Sequence, residues 1–157
     1  MEIKRLYAED VSLYWNKLHM LMDTCYEVTF DGPAPKAFSD KKLGELRTYL
    51  TENKAFLFGA IEESQMYGFL WCHELNTVLA RTFHVAYGGV DPAAEGRGLF
   101  TAMFVEAENL ARSLGFHIAE LRVAVRNPKV IDIHTKHGYQ VEDVIMRKRL
   151  DGPTDIK

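Results

Sequence analysis

Two glycines flank an arginine directly before the most regular helical pattern in this chain. Gly96, Arg97 and Gly98 precede a run from Leu99 to Leu114 in which apolar residues recur at three- and four-residue spacing, the pattern of a helix with one buried face. Glycine lets a ligand approach the backbone closely, and a helix N-terminus carries a partial positive charge. The loop could therefore bind a phosphate, with Arg97 adding a charged hydrogen bond. A tight strand-to-helix turn explains the same glycines equally well.

His84 is a candidate for proton transfer near neutral pH, because the ordinary pKa of histidine lies closest to that range. It stands six residues before Val90, on a predicted strand that leads to the glycine loop. Strict alternation along this strand places it on the face opposite Phe83, Val85 and Tyr87. The alternative is a buried histidine that is hydrogen-bonded to a neighbour and has only a structural role.

Cys72, His73 and Glu74 offer two further interpretations on the preceding predicted strand. A cysteine and a histidine adjacent on a strand point to opposite faces, so these two cannot form a nucleophilic dyad directly. A covalent cysteine mechanism and a role for Glu74 as base stay open as minor alternatives. The only other cysteine is Cys25, and two cysteines are too few for a disulfide framework.

These candidate residues need a sheet and helices to hold them. Apolar alternation predicts strands and helical spacing predicts helices, in the order β-α-α-β-β-β-α-β-α-β. The predicted strands are Ile3–Tyr7, Ala55–Glu62, Met66–Leu75, a third long strand ending at Val90, His117–Val125 and Val141–Leu150. Two helices are predicted to follow the capping residues Asp10 and Ser39, and two more to start at Leu99 and at Asn127-Pro128. This mixed order predicts an α/β or α+β fold with helices on both faces of the sheet.

The glycine loop also carries a family signature. Val90-Asp91-Pro92, followed by Glu95-Gly96-Arg97-Gly98-Leu99-Phe100, resembles the acetyl-CoA signature of the GNAT N-acyltransferases, usually written Gln/Arg-x-x-Gly-x-Gly/Ala. Glu95 stands at the Gln/Arg position, where a carboxylate repels a pyrophosphate. Phe100 stands at the final Gly/Ala position.

A second block lies further along the chain. The segment from Asn127 to Tyr139 looks like the later block of the same family, commonly Asn-x-x-Ala-hydrophobic-x-hydrophobic-Tyr-x-x-x-Gly-Phe. Gly138 matches and Tyr139 nearly matches, whereas Val130 replaces the usual Ala and His134 falls at the Tyr position. The element order and the spacing of the two blocks are also typical of the family, so the resemblance covers nearly the whole chain.

The resemblance implies a fold and a reaction. The fold is a GNAT-like mixed, mostly antiparallel central sheet, splayed at two central strands, here the Val85–Val90 strand and the His117–Val125 strand. The reaction transfers an acetyl group from acetyl-CoA by direct attack of a primary amine of a small molecule, protein or peptide. His84 falls at the base position of histone-acetyltransferase-like members, and His134 becomes the candidate general acid. The residues implied to bind acetyl-CoA are Tyr87, Gly88, Gly89, Val90, Glu95, Gly96, Arg97, Gly98, Leu99, Phe100 and Asn127.

The length, net charge and hydropathy of the chain limit the other kinds of function that it could have. The 157 residues are expected to form a single domain over residues 1–150, followed by a polar tail over residues 151–157. A net charge of -3 argues against a general nucleic-acid binder. No apolar run approaches the roughly 20 residues that cross a bilayer, so we expect a cytoplasmic protein without a membrane partner. We expect no metal, and a homodimer through the last strand stays open.

Two functions of other kinds stay open beside acetyl transfer. One is a non-catalytic module that binds acyl-CoA and regulates a partner, and the other is a different nucleotide-binding α/β protein. We expect the first two helices and the Cys25–Lys36 segment to form the acceptor site. Tyr26, Phe30 and Trp71 are candidate lining residues, with a place in the core as their alternative.

Overall fold

In the described part of the chain, five strands form one sheet in which the spatial order equals the order along the chain. They are β1 (Glu2–Leu6), β2 (Phe56–Glu62), β3 (Gln65–Asn76), β4 (Arg81–Val90) and β5 (Ile118–Leu121). The pairs β1–β2, β2–β3 and β3–β4 are antiparallel, whereas β5 joins β4 in parallel. This computed structural model describes residues 1–152, so most of the predicted polar tail lies outside the described residues. The predicted mixed, mostly antiparallel sheet is confirmed.

Within residues 1–152, five α-helices accompany the sheet. They are α1 (Ala8–Leu13), α2 (Trp15–Phe30), α3 (Phe38–Thr51), α4 (Leu99–Ser113) and α5 (Pro128–Lys136). The predicted helix after the glycine loop is α4, and it ends as predicted because Gly115 has φ +84°, a left-handed conformation that glycine adopts without strain. A short 3-10 turn, Pro92–Ala94, precedes the loop.

Helices cover both faces of the sheet. A Cβ placed on Gly88 would meet Phe100 of α4, whereas one placed on Gly89 would meet Cys25 of α2. Neighbouring residues of a strand point to opposite faces, so α2 and α4 lie on opposite sides of β4. On the α2 side the sheet packs against α1, α2 and α3 in a core that contains Leu18, Leu21, Leu43, Leu46, Leu57, Phe69 and Trp71.

Two predicted helix starts were wrong. Asp10 does not precede the first helix but lies within its first turn, where its carboxylate accepts a hydrogen bond of 2.7 Å from the backbone N–H of Tyr7. Ser39 likewise lies inside α3 rather than before it, and its hydroxyl donates to Asp23 of α2 instead of capping the helix. Serine and aspartate serve helix starts in several positions, so residue type alone does not give the first residue.

The predicted strand at Val141–Leu150 is also wrong, since the described residues contain no strand after β5. Val144, Ile145 and Met146 are consecutive and all exposed. Three adjacent apolar side chains cannot share one face of a strand, so pairing would leave part of this run uncovered. The predicted strand from His117 to Val125 is shorter than expected and ends at Leu121.

The chain divides into two units, one over Met1–Ala124 and one that begins at Val125. The second unit contains α5, which starts at Pro128 as predicted and is followed by Gly138 with φ +93°. A single domain over residues 1–150 stays a prediction. Among the helices within residues 1–152, none combines the length and the apolar character needed to cross a membrane.

Candidate functional site

An extra residue in β4 changes which side chains share a face of the sheet. Tyr87 pairs with Trp71 and Val85 pairs with Cys72, so Ala86 has no partner on β3 and forms a β-bulge. Such bulges increase the local twist and re-aim side chains, and they occur often beside active sites. The alternation of faces therefore restarts after Ala86.

The bulge brings His84 and Tyr87 to one face. His84 pairs with His73, and their ring centroids are 5.0 Å apart. Tyr87 lies 5.1 Å from the Trp71 ring. Because Trp71 and His73 are two residues apart on β3, they share a face, and so do their partners. The prediction that placed Tyr87 opposite His84 was wrong, because strict alternation does not allow for a bulge.

β4 and β5 separate halfway along β4. Their pairing runs from Thr82–Ile118 to Val85–Leu121, whereas β4 continues to Val90 with β3 as its partner. Unpaired backbone groups of a strand are available to an extended ligand. The predicted separation of these two strands is present, and it begins after Val85, the residue that follows His84.

Three titratable side chains lie in one row across β3, β4 and β5. His73 pairs with His84, and His84 pairs with Glu120; we call these residues the His73–His84–Glu120 row. Nδ1 of His84 donates to Oε1 of Glu120 at 2.8 Å, and Nδ1 of His73 donates to the carbonyl of Glu74 at 2.9 Å. A neutral imidazole that donates through Nδ1 keeps its lone pair on Nε2. In both histidines Nε2 is therefore the basic nitrogen.

The environment of His84 favours its neutral form. Burial lowers its pKa below the ordinary histidine value, the hydrogen bond to Glu120 opposes this effect, and His73 lowers the pKa further. The side chain is 14% exposed, so part of the imidazole still faces solvent. At neutral pH the imidazole is available as a proton acceptor.

The two minor alternatives on β3 lose their support. Cys72 is fully buried on the face opposite His73, and burial raises the pKa of its thiol. A buried neutral thiol is a poor nucleophile. Glu74 lies outside the His73–His84–Glu120 row and forms an ion pair with Arg81.

Asp91 fixes the start of the glycine loop. Its carboxylate accepts hydrogen bonds from Lys17 of α2 and, at 2.9 Å, from the backbone N–H of Ala93. Its own backbone N–H donates to Tyr67 of β3 at 2.8 Å. The Lys17 hydrogen bond lowers the pKa of Asp91, so the carboxylate stays charged near neutral pH. The end of β4 is thus tied to both α2 and β3.

The two glycines of the loop are required by conformation. Gly96 has φ +79° and Gly98 has φ +72°, and a Cβ on either would meet no atom within 4 Å. Gly98 is the N-cap of α4, and the first turn of that helix contains no acidic residue. Leu99 is buried, so only its backbone faces the loop. This geometry suits an anion at the helix N-terminus.

Arg97 forms an ion pair across the loop. Its two terminal nitrogens lie 3.4 and 3.2 Å from the two carboxylate oxygens of Glu62 at the end of β2. This hydrogen bond lowers the pKa of Glu62. Both side chains are partly exposed, at 43% and 37%, and exposed pairs contribute little to stability. Glu95, whose position departs from the signature, is exposed.

Gly88 and Gly89 allow the helices to approach β4 closely. A Cβ on Gly88 would lie 2.7 Å from Leu70 and 3.2 Å from Phe100, and one on Gly89 would lie 3.5 Å from Sγ of Cys25. The Cys25 thiol donates to the Gly88 carbonyl at 3.1 Å, and burial raises its pKa to about 11. These predicted binding residues, with Phe100, therefore have a packing role that is independent of any ligand.

His134 and Asn127 belong to the second unit. His134 is buried, its ring lies 5.6 Å from that of Tyr139, and its carbonyl accepts from the Tyr139 N–H at 3.1 Å. The Asn127 carbonyl accepts from Val130 at 3.2 Å, whereas its side chain makes no capping bond. The acid role of His134 and the ligand role of Asn127 stay predictions.

The candidate acceptor-lining residues separate into two groups. Trp71 is 3% exposed and packs in the core, and among the described residues its Nε1–H has no hydrogen-bond partner. Tyr26 lies 4.6 Å from Phe30 and 4.8 Å from Phe38, ring to ring. This aromatic group connects the end of α2 to the start of α3.

Glu120 and Ala86 were not predicted as site residues from the sequence. Along the predicted strand from His117 to Val125, Glu120 stands as a charged residue between the apolar Ala119 and Leu121, so alternation places it on the face opposite theirs. That signal marks a polar side chain but does not give its partner 36 positions away. The bulge residue has no signal in the sequence, since an alanine suits an ordinary strand position as well.

The sequence matches the model of the acetyltransferase (GNAT) family over residues 15–139. No curated protein sequence is similar enough to count as a match.

Solved structures share the fold at low sequence identity. A Clostridium acetobutylicum protein described as a predicted acetyltransferase and solved with acetyl-CoA has a TM-score of 0.75 and 17% identity, over 95% of this chain and 96% of that one. An aminoglycoside acetyltransferase from an uncultured soil metagenomic sample, in complex with sisomicin, has a TM-score of 0.72 and 16% identity over 97% and 96%. An aminoglycoside N-acetyltransferase in complex with CoA has a TM-score of 0.70 and 13% identity over 96% and 95%.

Proposed function

Because this chain belongs to the GNAT family of acetyltransferases and is therefore an N-acetyltransferase that uses acetyl-CoA, we propose that it acetylates a primary amine by direct attack, with His84 as the general base. The acceptor is an amine of a small molecule, a protein or a peptide. The main support for this proposal is the position of His84. The His84–Glu120 pair is the last but one before β4 and β5 separate. A thioester held in that gap lies next to a neutral imidazole.

Acetyl-CoA is proposed to bind along the second half of β4 and at the start of α4. The backbone of Tyr87–Val90 pairs with the pantetheine arm, and the pyrophosphate lies on the loop from Glu95 to Leu99. The left-handed Gly96 and Gly98 give the loop the shape for this contact, and the helix N-terminus supplies partial positive charge. When acetyl-CoA binds, the Arg97 guanidinium leaves the Glu62 carboxylate and donates to a phosphate oxygen instead.

The proposed reaction begins with proton transfer. Nε2 of His84 takes a proton from the substrate ammonium, and the free amine attacks the thioester carbonyl carbon. The new C–N bond forms as the carbonyl oxygen becomes negative, and the nitrogen then releases its second excess proton to solvent. The tetrahedral species collapses, the C–S bond breaks, and CoA leaves as a thiolate. His134 is the proposed donor to that thiolate, although a thiol with an ordinary pKa near 8.5 also leaves without help.

Calorimetric titration with acetyl-CoA tests the proposed substrate, with ATP and NAD as controls. Selective micromolar binding supports it, and no binding near a millimolar overturns it. An amine screen by thiol release then tests acetyl transfer. Because two of the similar structures are aminoglycoside acetyltransferases, the screen includes amino sugars beside polyamines, amino acids and peptides.

We expect Arg97→Ala to weaken acetyl-CoA binding by about 1–3 kcal/mol, the worth of a charged hydrogen bond. Calorimetry measures the Kd. The matched control is Arg112→Ala, which removes an arginine from the opposite end of α4 and leaves the Kd unchanged. A Kd for Arg97→Ala equal to that of the control would exclude Arg97 from the phosphate site.

We expect the acid limb of kcat/KM to lie below pH 6.5, the ordinary histidine value. Burial lowers the pKa of His84, so its basic form persists to lower pH than that of an exposed histidine. An alkyl amine titrates near pH 10, well apart from this limb. The profile is measured from pH 5 to 9 at constant ionic strength, and a limb above 6.5 would contradict the assignment.

A further inference from the structure

We propose that Glu120 is a positioning residue for the reaction, because it holds His84 in the tautomer and orientation that present Nε2 to the substrate amine. This inference rests on the proposed function, in which His84 is the general base. It names a residue on β5 that has no counterpart in either of the two sequence blocks.

The contact has the geometry of a base and its orienting group. Nδ1 of His84 and Oε1 of Glu120 are 2.8 Å apart, within the range of a charge-assisted hydrogen bond. The carboxylate accepts the Nδ1 proton, so the lone pair is confined to Nε2. In the part of the chain that the structure describes, Nε2 of His84 makes no hydrogen bond. In nucleophile–base–carboxylate triads, likewise, one imidazole nitrogen is hydrogen-bonded to the carboxylate and the other takes part in the reaction.

The place of Glu120 in the sheet makes the contact rigid. Glu120 and His84 are register partners of a parallel strand pair, and the next pair, Val85–Leu121, is the last before the strands separate. Both Cα atoms are therefore fixed by backbone hydrogen bonds at the edge of the gap. The Glu120 side chain is 39% exposed whereas that of His84 is 14% exposed, so the carboxylate stays hydrated while the imidazole is largely enclosed.

The other groups around His84 act against its protonation. His73 on β3 and Arg122 just beyond β5 both disfavour the imidazolium, whereas Glu120 favours it. Glu120 thus supports the imidazolium that forms when the base takes up a proton. Its removal leaves a weaker base with a lower pKa and with no fixed tautomer.

The test compares Glu120→Gln with Glu106→Gln, a change of the same kind on an exposed residue of α4, each in the wild-type and the His84→Ala backgrounds. We expect Glu120→Gln to lower kcat about tenfold or more, with little change in KM for acetyl-CoA, and to move the acid limb to lower pH. In the His84→Ala background the same change has no further effect. Glu106→Gln leaves all of these values unchanged.

Two results would overturn the proposal. One is a Glu120→Gln enzyme with the kcat and acid limb of Glu106→Gln. The other is an equal loss of kcat in the wild-type and His84→Ala backgrounds, because a merely structural role does not depend on the imidazole.

A measurement without turnover separates this proposal from the proposed function. Long-range nitrogen–proton NMR spectra of the imidazole show the Nδ1–H tautomer in the wild-type protein, and a lowered His84 pKa in Glu120→Gln. If these signals are present and no amine is acetylated, the proposed function fails while the contact stands. If the His84 signals are the same in both proteins, the positioning role fails whatever the activity.

Discussion

Replacement of His84 by alanine lowers kcat/KM for the amine by about 10² to 10⁴-fold, the usual contribution of a positioned general base. The loss appears in kcat, because the imidazole acts on the proton of the amine rather than on CoA. The Kd for acetyl-CoA stays within about twofold of wild type, since the proposed cofactor contacts are backbone groups and Arg97. Thiol-release kinetics and calorimetry on the same preparation measure both quantities.

His117→Ala is the control for this experiment, because it removes an exposed imidazole directly before β5. It is expected to retain wild-type kinetics. If the His84→Ala enzyme keeps wild-type turnover, the general base is a water molecule or another residue and not His84. A variant that lost acetyl-CoA binding together with turnover would point instead to a structural histidine.

The glycine loop and α4 depend on local sequence and were predicted well. α4 follows from its apolar spacing and from the glycine that ends it, because helix periodicity and a left-handed C-terminal glycine are decided within a few residues. The same holds for the loop at Gly96 and Gly98, where the backbone conformation itself demands glycine. His84 was selected by residue type and by its distance from the loop.

Features that depend on pairing between distant segments were not predictable. The contact between His84 and Glu120 joins two strands separated by the whole of α4, and their register is set by packing rather than by any local pattern. The ion pair between Arg97 and Glu62 likewise joins segments that are distant in the sequence. The missing strand at Val141–Leu150 shows the converse, since an apolar run becomes a strand only when a neighbour accepts its backbone hydrogen bonds.

The extra residue in β4 has the largest consequence for the site, and deletion of Ala86 tests it. We expect the deletion to abolish acetyl transfer and to destabilise the fold. Gly88 and Gly89 cannot shift, because a Cβ at Gly88 would lie 2.7 Å from Leu70, and Asp91 is held by Lys17. The segment before the bulge therefore moves by one position, and every side chain in it changes face.

This change of face affects stability and chemistry together. Phe83 is 1% exposed and lies 5.3 Å from the ring of Phe116, and removing a buried phenylalanine from a core costs roughly 3–5 kcal/mol. His84 turns towards α4, away from Glu120 and Tyr87. Thermal unfolding and kcat/KM are compared with those of Ala86→Gly, which keeps the number of residues and is expected to stay active. A deletion variant as stable and active as Ala86→Gly would mean that the bulge does not decide the face on which His84 meets its substrate.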